Sequence, residues 1–155
     1  MIPKRIVIDT NVCLDLFVFR DARWAALLEA LRAGRLQAVT RDDCRREWQI
    51  VLGYPHLPLD AAARPAVERE FDALVTCLPS PPAESVNEAA RLPLCKDADD
   101  QKFLELARDA GACALITKDK ALLKLAKRTA RAGLFAILAP ETWLEREAMP
   151  VAALE

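Results

Sequence analysis

Histidine is almost absent from this chain, which contains a single one, His56. That residue lies in the proline-bracketed segment 54–58 and is interpreted as a loop residue. Zinc hydrolases of the histidine-rich type need several histidine ligands, and a serine nucleophile of the Ser-His-Asp type needs a histidine as its base. The sequence therefore excludes the first class and argues against the second.

Paired cysteines are lacking as well. The five cysteines are odd in number, widely spaced and free of any C-x-x-C pair. This pattern predicts neither a disulfide framework nor a cysteine zinc site. Cys44 and Cys113 fall in apolar patterns, and we expect both to be small core residues.

Long apolar runs and an excess of either charge are also missing. The 22 Lys and Arg residues nearly balance the 23 Asp and Glu residues, which gives a formal net charge of −1. No apolar run approaches the length of a membrane span, and the first residues lead directly into a short strand without a signal-peptide core. We therefore expect a cytoplasmic protein that does not contact membranes, and any nucleic-acid binding must come from a local basic patch.

What the chain does contain is an alternation of short strand-like runs with helical patterns. The predicted strands are residues 5–8, 36–39, 114–117 and 135–138. Helices are predicted between them, including one from Asp60 to about Val75 and one from Lys120 to Arg131. Such an alternation is typical of an α/β fold in which helices cover both faces of a parallel sheet. We predict a three-layer α/β/α sandwich, in one domain over residues 1–155 with its core at about 4–145.

Two carboxylates stand where predicted strands end. Asp9 closes the run from Ile6 to Ile8, and Asp119 follows the run from Ala114 to Thr117. Because open α/β sheets bind ligands at the carboxyl ends of their strands, both side chains are expected at the functional edge.

Two further carboxylates come from predicted helices. Glu47 lies between Cys44 and Val51 on the apolar stripe of its helix, and Asp100 heads the stripe that Phe103 continues. A buried carboxylate needs a cationic partner, a raised pKa or a metal ion. Since the sequence shows no obvious buried Lys or Arg, the four acids together predict a divalent-metal site.

Each of these acids except Glu47 also has a simpler interpretation. Asp9 and Asn11 are able to cap the helix that follows them, Asp119 is able to begin the next helix, and the acidic run 97–100 complements a helix N-terminus. Glu47 has no such alternative, because a mid-helix position serves no capping purpose. The metal site is favoured because it explains all four positions at once.

The same segments resemble one known family. In chain order they are the run from Ile6 to Asn11, the inward Glu47, the acidic segment from Asp97 to Asp100 with the apolar residues after it, and the run from Leu115 to Asp119. Together they resemble the PIN domain over about residues 5–144, and most closely the branch of toxin components from bacterial toxin–antitoxin pairs.

The resemblance implies a metal-dependent ribonuclease with a helix-flanked parallel sheet. It implies Asp9, Glu47, Asp100 and Asp119 as metal ligands and catalytic residues. Thr10, Asn11 and Thr117 would then take supporting positions. Asp97 and Asp99 stay open as substitutes for Asp100, which is preferred for its spacing and its inward face.

The chemistry of phosphodiester hydrolysis suits such a site. One or two Mg²⁺ or Mn²⁺ ions, held by oxygen ligands, activate water and neutralise charge on the leaving oxygen. The RNA backbone is expected to contact a basic group of residues, namely Lys118, Lys120, Lys124, Arg131 and Arg45. The alternative for this group is an ordinary solvated face, and no aromatic platform for reading bases is evident.

Three functions remain open at this point. The first is an endoribonuclease that is the toxin of a toxin–antitoxin pair, with RNA as substrate and a cognate antitoxin or a second copy of the chain as protein partner. The second is a housekeeping RNA-processing nuclease without an antitoxin. The third is a non-catalytic Mg²⁺-binding scaffold or phosphoacceptor, which the Thr10-Asn11 pair after Asp9 disfavours because a phosphoacceptor needs an acidic pair at its first strand end.

Overall fold

A five-stranded parallel sheet lies at the centre of the molecule in a computed structural model, which describes residues 3–79 and 92–148. The strands are β1 (Lys4–Ile8), β2 (Leu36–Thr40), β3 (Val75–Cys77), β4 (Ala114–Ile116) and β5 (Ala136–Leu138). Their order across the sheet is β3-β2-β1-β4-β5, and every neighbouring pair is parallel. The predicted α/β fold with a central parallel sheet is therefore confirmed.

Eight α-helices connect and cover the strands in the described part of the chain. They are α1 (Thr10–Phe17), α2 (Ala25–Arg32), α3 (Asp42–Leu52), α4 (Arg64–Leu74), α5 (Gln101–Asp109), α6 (Lys120–Leu123), α7 (Ala126–Arg131) and α8 (Pro140–Ala148). Short 3₁₀ turns, Ala22–Trp24 and Ala98–Asp100, lead into α2 and α5. None of these helices is long and apolar enough to cross a membrane.

The alternation of side chains along each strand divides the interior into two cores. Ile6 and Ile8 of β1 face a core shared with α1, α2, α3, α4 and α8, whereas Val7 faces a core shared with α5, α6 and α7. Successive strand residues point to opposite faces of a sheet, so a strand covered on both sides is apolar at every position. The continuous apolar run of β1 follows from this burial.

The first of these cores contains an aromatic cluster. Trp48 of α3 stacks on Phe71 of α4 with ring centroids 4.8 Å apart, and Phe17 of α1 meets both rings edge-on. All three side chains are buried. Aromatic contacts of this kind add stabilisation beyond the buried area, and here they fix α3, and with it Glu47, against α1.

Three details differ from the predictions. Residues 75–77 form the edge strand β3 instead of the end of a helix; Thr76 and Cys77 are exposed there, so no apolar pattern marks the strand. The predicted helix 120–131 is broken into α6 and α7 at Leu125, whose N–H bonds to the carbonyl three residues back. Cys44 is buried as predicted, but Cys113 is exposed. The prediction of a single domain over residues 1–155 stays a prediction.

Candidate functional site

A crevice between β1 and β4 follows from the order of the strands. The two strands are neighbours, but the helix after β1 packs in one core and the helix after β4 packs in the other. Val12 of α1 belongs to the core that contains Ile6, and Leu122 of α6 belongs to the core that contains Val7. Where the connections after two neighbouring parallel strands leave the sheet on opposite faces, a crevice is expected at the carboxyl ends of those strands. Asp9 directly follows β1, and Thr117 and Asp119 lie in the segment that follows β4.

Thr117 joins the two strand-end acids. Its Oγ1 donates a hydrogen bond to Asp9 Oδ2 at 2.6 Å and accepts one from the Asp119 backbone N–H at 2.9 Å. Thr117 is fully buried, and Asp9 is only 4% exposed. The threonine therefore fixes the orientation of the Asp9 carboxylate and the start of the segment that carries Asp119.

The interpretation of these two acids as helix caps holds for Asp119 but not for Asp9. Asp119 does cap α6, because its Oδ1 accepts a hydrogen bond from the Ala121 N–H at 2.7 Å. Asp9 occupies the N-cap position of α1, but its side chain makes no capping hydrogen bond. A buried carboxylate that does not cap the helix it precedes needs another explanation, and charge neutralisation by a bound cation is one.

The acidic run before α5 contains one buried carboxylate. Asp100 is 9% exposed, and its Oδ2 has no hydrogen-bond partner among the described residues. Asp97 and Asp99 are exposed, and Asp97 caps the 3₁₀ turn through the Asp99 N–H. This difference supports Asp100 as the third candidate ligand.

The four acids act on one another electrostatically. Burial raises the pKa of Asp9 to about 6, and the charges of Glu47 and Asp119 add to the effect, while the Thr117 hydroxyl opposes it. Burial also raises the pKa of Asp100 to about 8, with further contributions from a hydrogen bond to Asp119 and the charges of Asp9 and Asp119. The same hydrogen bond lowers the pKa of Asp119. Asp100 and Asp119 thus shift each other's pKa in opposite directions, as closely placed carboxyl groups do.

Glu47 has a cationic partner that the sequence did not reveal. The sequence shows no obvious buried Lys or Arg, but Lys102 of α5 is largely shielded from solvent and places its Nζ 3.0 Å from Glu47 Oε2. Burial lowers the pKa of Lys102, but the contact with Glu47 outweighs burial, and the net pKa is raised. The two residues are 55 positions apart in sequence, and the local pattern shows only a lysine two residues after the acidic run that ends at Asp100.

Two of the proposed RNA-binding cations are engaged in ion pairs. Lys118 Nζ lies 2.7 Å from Oδ2 of Asp15, a buried acid of α1 that the sequence analysis did not single out. Trp24 donates its indole N–H to the same oxygen at 3.2 Å. Arg45 makes two hydrogen bonds to Asp72, at 3.0 and 2.8 Å. A phosphate would have to compete with these carboxylates.

Three other proposed cations lie after Asp119 in the sequence, on α6, on α7 and in the turn between these helices. Lys120, Lys124 and Arg131 are exposed, and none of them takes part in an ion pair with the described residues. Their positive charge is therefore available to an anion. The two short helices place this charge next to the acid cluster, since α6 begins directly after Asp119.

The donor set suits a hard divalent cation. Besides the carboxylates, Asn11 Oδ1 is buried and has no hydrogen-bond partner among the described residues, as is the case for Asp100 Oδ2, and Thr10 is buried beside Asp9. Glu47 Oε2 has only its ion-pair contact with Lys102. Unpartnered buried oxygens and mutually repelling carboxylates are what Mg²⁺ and Mn²⁺ satisfy. Within residues 3–79 and 92–148, no three side chains of Asp, Glu, His or Cys form a ready-made coordination sphere. The four-acid ligand set fits the chemistry of such an ion, and it stays a prediction.

The raised pKa values predict how stability depends on pH without metal. Between about pH 4 and pH 8 the folded protein binds more protons than the unfolded chain, because the pKa values of Asp9 and Asp100 lie above the ordinary value of 3.8 for an aspartate. The free energy of unfolding should therefore fall as pH rises through this range. The raised pKa of Asp9 alone corresponds to a decrease of about 3 kcal/mol in the free energy of unfolding over this range. The lowered pKa of Asp119 acts only below this range.

Urea unfolding in the presence of chelator, at about pH 5 and about pH 8, would measure this dependence. The variant Asp9→Asn should show a flatter pH dependence between about pH 4 and pH 6, and Asp99→Asn, at an exposed position, should follow the wild type. A free energy of unfolding that rises with pH over the whole range would contradict the assigned electrostatics.

Comparisons with known proteins bear on the family and the fold. A family model described as PIN domain matches residues 5–121, about three quarters of the chain. A search of curated proteins found no significant sequence match. Among solved structures, PAE2754 from Pyrobaculum aerophilum is similar with a TM-score of 0.55 and 18% identity, over 92% of this chain and 88% of that one.

A second similar structure is VapBC2 from Rickettsia felis bound to a DNA fragment from their promoter, with a TM-score of 0.55 and 10% identity. The match covers 87% of this chain and 98% of that one. At these identities the two solved structures show a shared fold. The family model matches most of the chain, including all four candidate acids, and proteins with this domain are generally nucleases that use divalent metal ions. The chain belongs to the PIN-domain family.

Proposed function

We propose that this protein is an endoribonuclease that depends on Mg²⁺ or Mn²⁺. The observation that carries the proposal is Asp9: a buried carboxylate in the N-cap position that caps nothing, with a pKa raised by burial and by other acids. Holding such a group costs stability, and acids arranged in this way in a crevice are typical of functional sites.

The residues of the site would have two roles, metal binding and the orientation of a metal ligand. Asp9, Glu47, Asp100 and Asp119 would hold the metal, and Thr117 would orient Asp9 through the hydrogen bond already described. When bound, the metal activates the attacking water and neutralises the charge that develops on the leaving oxygen. The Oδ2 of Asp100 is the oxygen best placed to become a ligand, because it has no hydrogen bond to break, whereas Glu47 Oε2 would have to exchange its contact with Lys102 for the metal.

Binding of RNA would rely on the cations next to the acids. Lys120 on α6, Lys124 in the turn after it and Arg131 on α7 are exposed and would contact the phosphate backbone. We place Lys118 and Arg45 second, because each is already paired with a carboxylate. Positive charge beside a negatively charged centre is needed for a polyanion to approach it.

The biological role that we propose is the toxin half of a toxin–antitoxin pair. It rests on the resemblance of the sequence motifs to that branch of the family, and the similar fold of VapBC2 is consistent with it. A cognate antitoxin would then be the protein partner. Growth arrest on expression of the chain, relieved by co-expression of a small reading frame adjacent to its gene, would support this role, and normal growth would favour a housekeeping nuclease.

A cleavage assay with a thermal shift measurement tests the activity itself. The purified chain should cut members of a panel of structured and single-stranded RNAs with Mn²⁺ or Mg²⁺, and should leave them intact with chelator. The melting temperature should rise with Mn²⁺, since a ligand at a hundred times its Kd stabilises the folded state by about 2.7 kcal/mol. Cleavage that persists with chelator would refute the metal dependence, and a folded protein that cuts no RNA with either metal would refute the nuclease proposal.

A further inference from the structure

Lys102 lies at the edge of the acid cluster and forms an ion pair with one of its members, Glu47. Of the ion pairs formed within residues 3–79 and 92–148, the contact of Lys102 with Glu47 is the only one that includes a candidate metal ligand. The two side chains are 18% and 32% exposed, so the pair is partly shielded from water. Shielding of this degree makes the attraction stronger than that of an exposed surface pair.

Other contacts hold the ammonium group in this place. Lys102 Nζ donates a hydrogen bond to the backbone carbonyl of Asp99, in the 3₁₀ turn that also carries Asp100. It also lies 5.2 Å from the centre of the Phe103 ring. Lys102 therefore links α3, through Glu47, to the turn that presents Asp100, and its charge is fixed rather than free in solvent.

The contact leaves Glu47 able to accept another cation. Glu47 Oε2 lies within ion-pair distance of Lys102 but has no well-directed hydrogen-bond donor among the described residues. The same carboxylate is close enough to Asp9 for its charge to act on that group. The Lys102 ammonium thus sits beside an oxygen of the acid cluster in the way that a bound cation would.

We propose that Lys102 is an internal counter-ion that competes with the divalent metal for Glu47 and so sets the metal concentration at which the site fills. The inference rests on the proposed function, because it takes Glu47 as a metal ligand. Lys102 acts through Glu47 and is in this sense a positioning residue. It neutralises part of the cluster when no metal is bound, and it repels the metal when one arrives.

This role predicts opposite effects on stability and on metal affinity. Without Lys102 the metal-free acids lose their paired cation, so the metal-free protein should melt at a lower temperature. The metal no longer competes with a fixed ammonium group, so it should bind more tightly. A lysine that only joined α3 to α5 would change stability and leave the affinity unchanged or weaker.

Titration calorimetry with Mn²⁺ alone, on the full chain, tests the proposal. Lys102→Met keeps most of the length of the side chain and removes the charge, and this variant should bind Mn²⁺ about tenfold more tightly than the wild type, a difference of 1.4 kcal/mol. Lys102→Arg should restore the wild-type affinity. Lys96→Met, which removes an exposed charge four residues before Asp100, should change the affinity far less. If Lys102→Met fails to give the far-ultraviolet spectrum of a folded protein, Lys102→Gln takes its place.

A double-mutant cycle shows whether the effect passes through Glu47. In a Glu47→Gln background the further change Lys102→Met should no longer tighten Mn²⁺ binding. An unchanged or weaker affinity of Lys102→Met, an equal gain from Lys96→Met, or a gain that persists without Glu47 would each overturn the inference alone. A wild type that binds no Mn²⁺ would overturn the proposed metal dependence, and the inference with it.

Discussion

Asp9→Asn should reduce Mn²⁺-dependent RNA cleavage by at least about a thousandfold while leaving the protein folded. A metal ion supplies several kcal/mol of charge stabilisation in reactions of this kind, and each 1.36 kcal/mol corresponds to a tenfold change in rate. Asparagine keeps an oxygen that accepts the hydrogen bond from Thr117 but removes one ligand charge. Because the wild-type carboxylate is buried with a pKa near 6, its neutral replacement should also hold or raise the melting temperature at neutral pH without metal.

Cleavage rates and melting temperatures with Mn²⁺ and with chelator would measure both effects. The wild type should gain stability with Mn²⁺, and Asp9→Asn should gain little or none. Asp99→Asn makes the same chemical change at an exposed position and should behave like the wild type in both assays. An Asp9→Asn protein that cleaves RNA at the wild-type rate, or that does not fold, would show that Asp9 has a structural role instead.

Thr117→Val should reduce both activity and stability, because one hydroxyl serves two partners. Valine has nearly the same shape, but it leaves the Asp119 N–H and the Asp9 Oδ2 without the hydrogen bonds at 2.9 and 2.6 Å. Each unsatisfied buried group costs about 1–3 kcal/mol, so the loss of both bonds should lower the free energy of unfolding by about 2–6 kcal/mol. Cleavage should slow by roughly a hundredfold, since loss of an orienting partner typically costs 10–100-fold in metal affinity or activity.

A shift of the pH profile separates the functional role of Thr117 from its structural one. The hydroxyl lowers the pKa of Asp9, so its loss should raise that pKa further above about 6. The acidic limb of the pH–rate profile should then move to higher pH, because Asp9 has to be ionised to bind metal. Thr117→Ser keeps the hydroxyl and should retain the wild-type profile. A Thr117→Val profile that is lower but not shifted would assign the residue to packing alone.

The parts of the site that the sequence predicted are those with local patterns. The apolar run before Asp9 and the run before Asp119 identified two strands, and parallel strands bring their carboxyl ends to one edge. The helical stripe that begins at Asp100 predicted an inward carboxylate, and the structure buries Asp100 but exposes Asp97. Such assignments depend only on the spacing of residues within one element.

The parts that the sequence did not predict depend on contacts between elements. Lys102 and Glu47 lie on different helices, and the sequence pattern of neither helix predicts the contact between them. Asp15 was overlooked because its partner, Lys118, is about 100 residues away and had been assigned to RNA. The edge strand β3 has only Val75 buried, so its pattern is too short to distinguish from a helix end.

The pairing of β1 with β4 has a consequence for the order in which the protein gains its activity during synthesis. The hydrogen bond between Asp9 and Thr117 spans 108 residues, and β1 is translated long before β4. A ribosome-bound chain that has released only β1, β2 and their helices already carries Asp9 and Glu47, yet it has no partner strand to complete the crevice. Contacts of such long sequence separation form late in folding. If the protein is the ribonuclease that we propose, its nascent chain would therefore cleave no RNA until β4 has emerged from the exit tunnel.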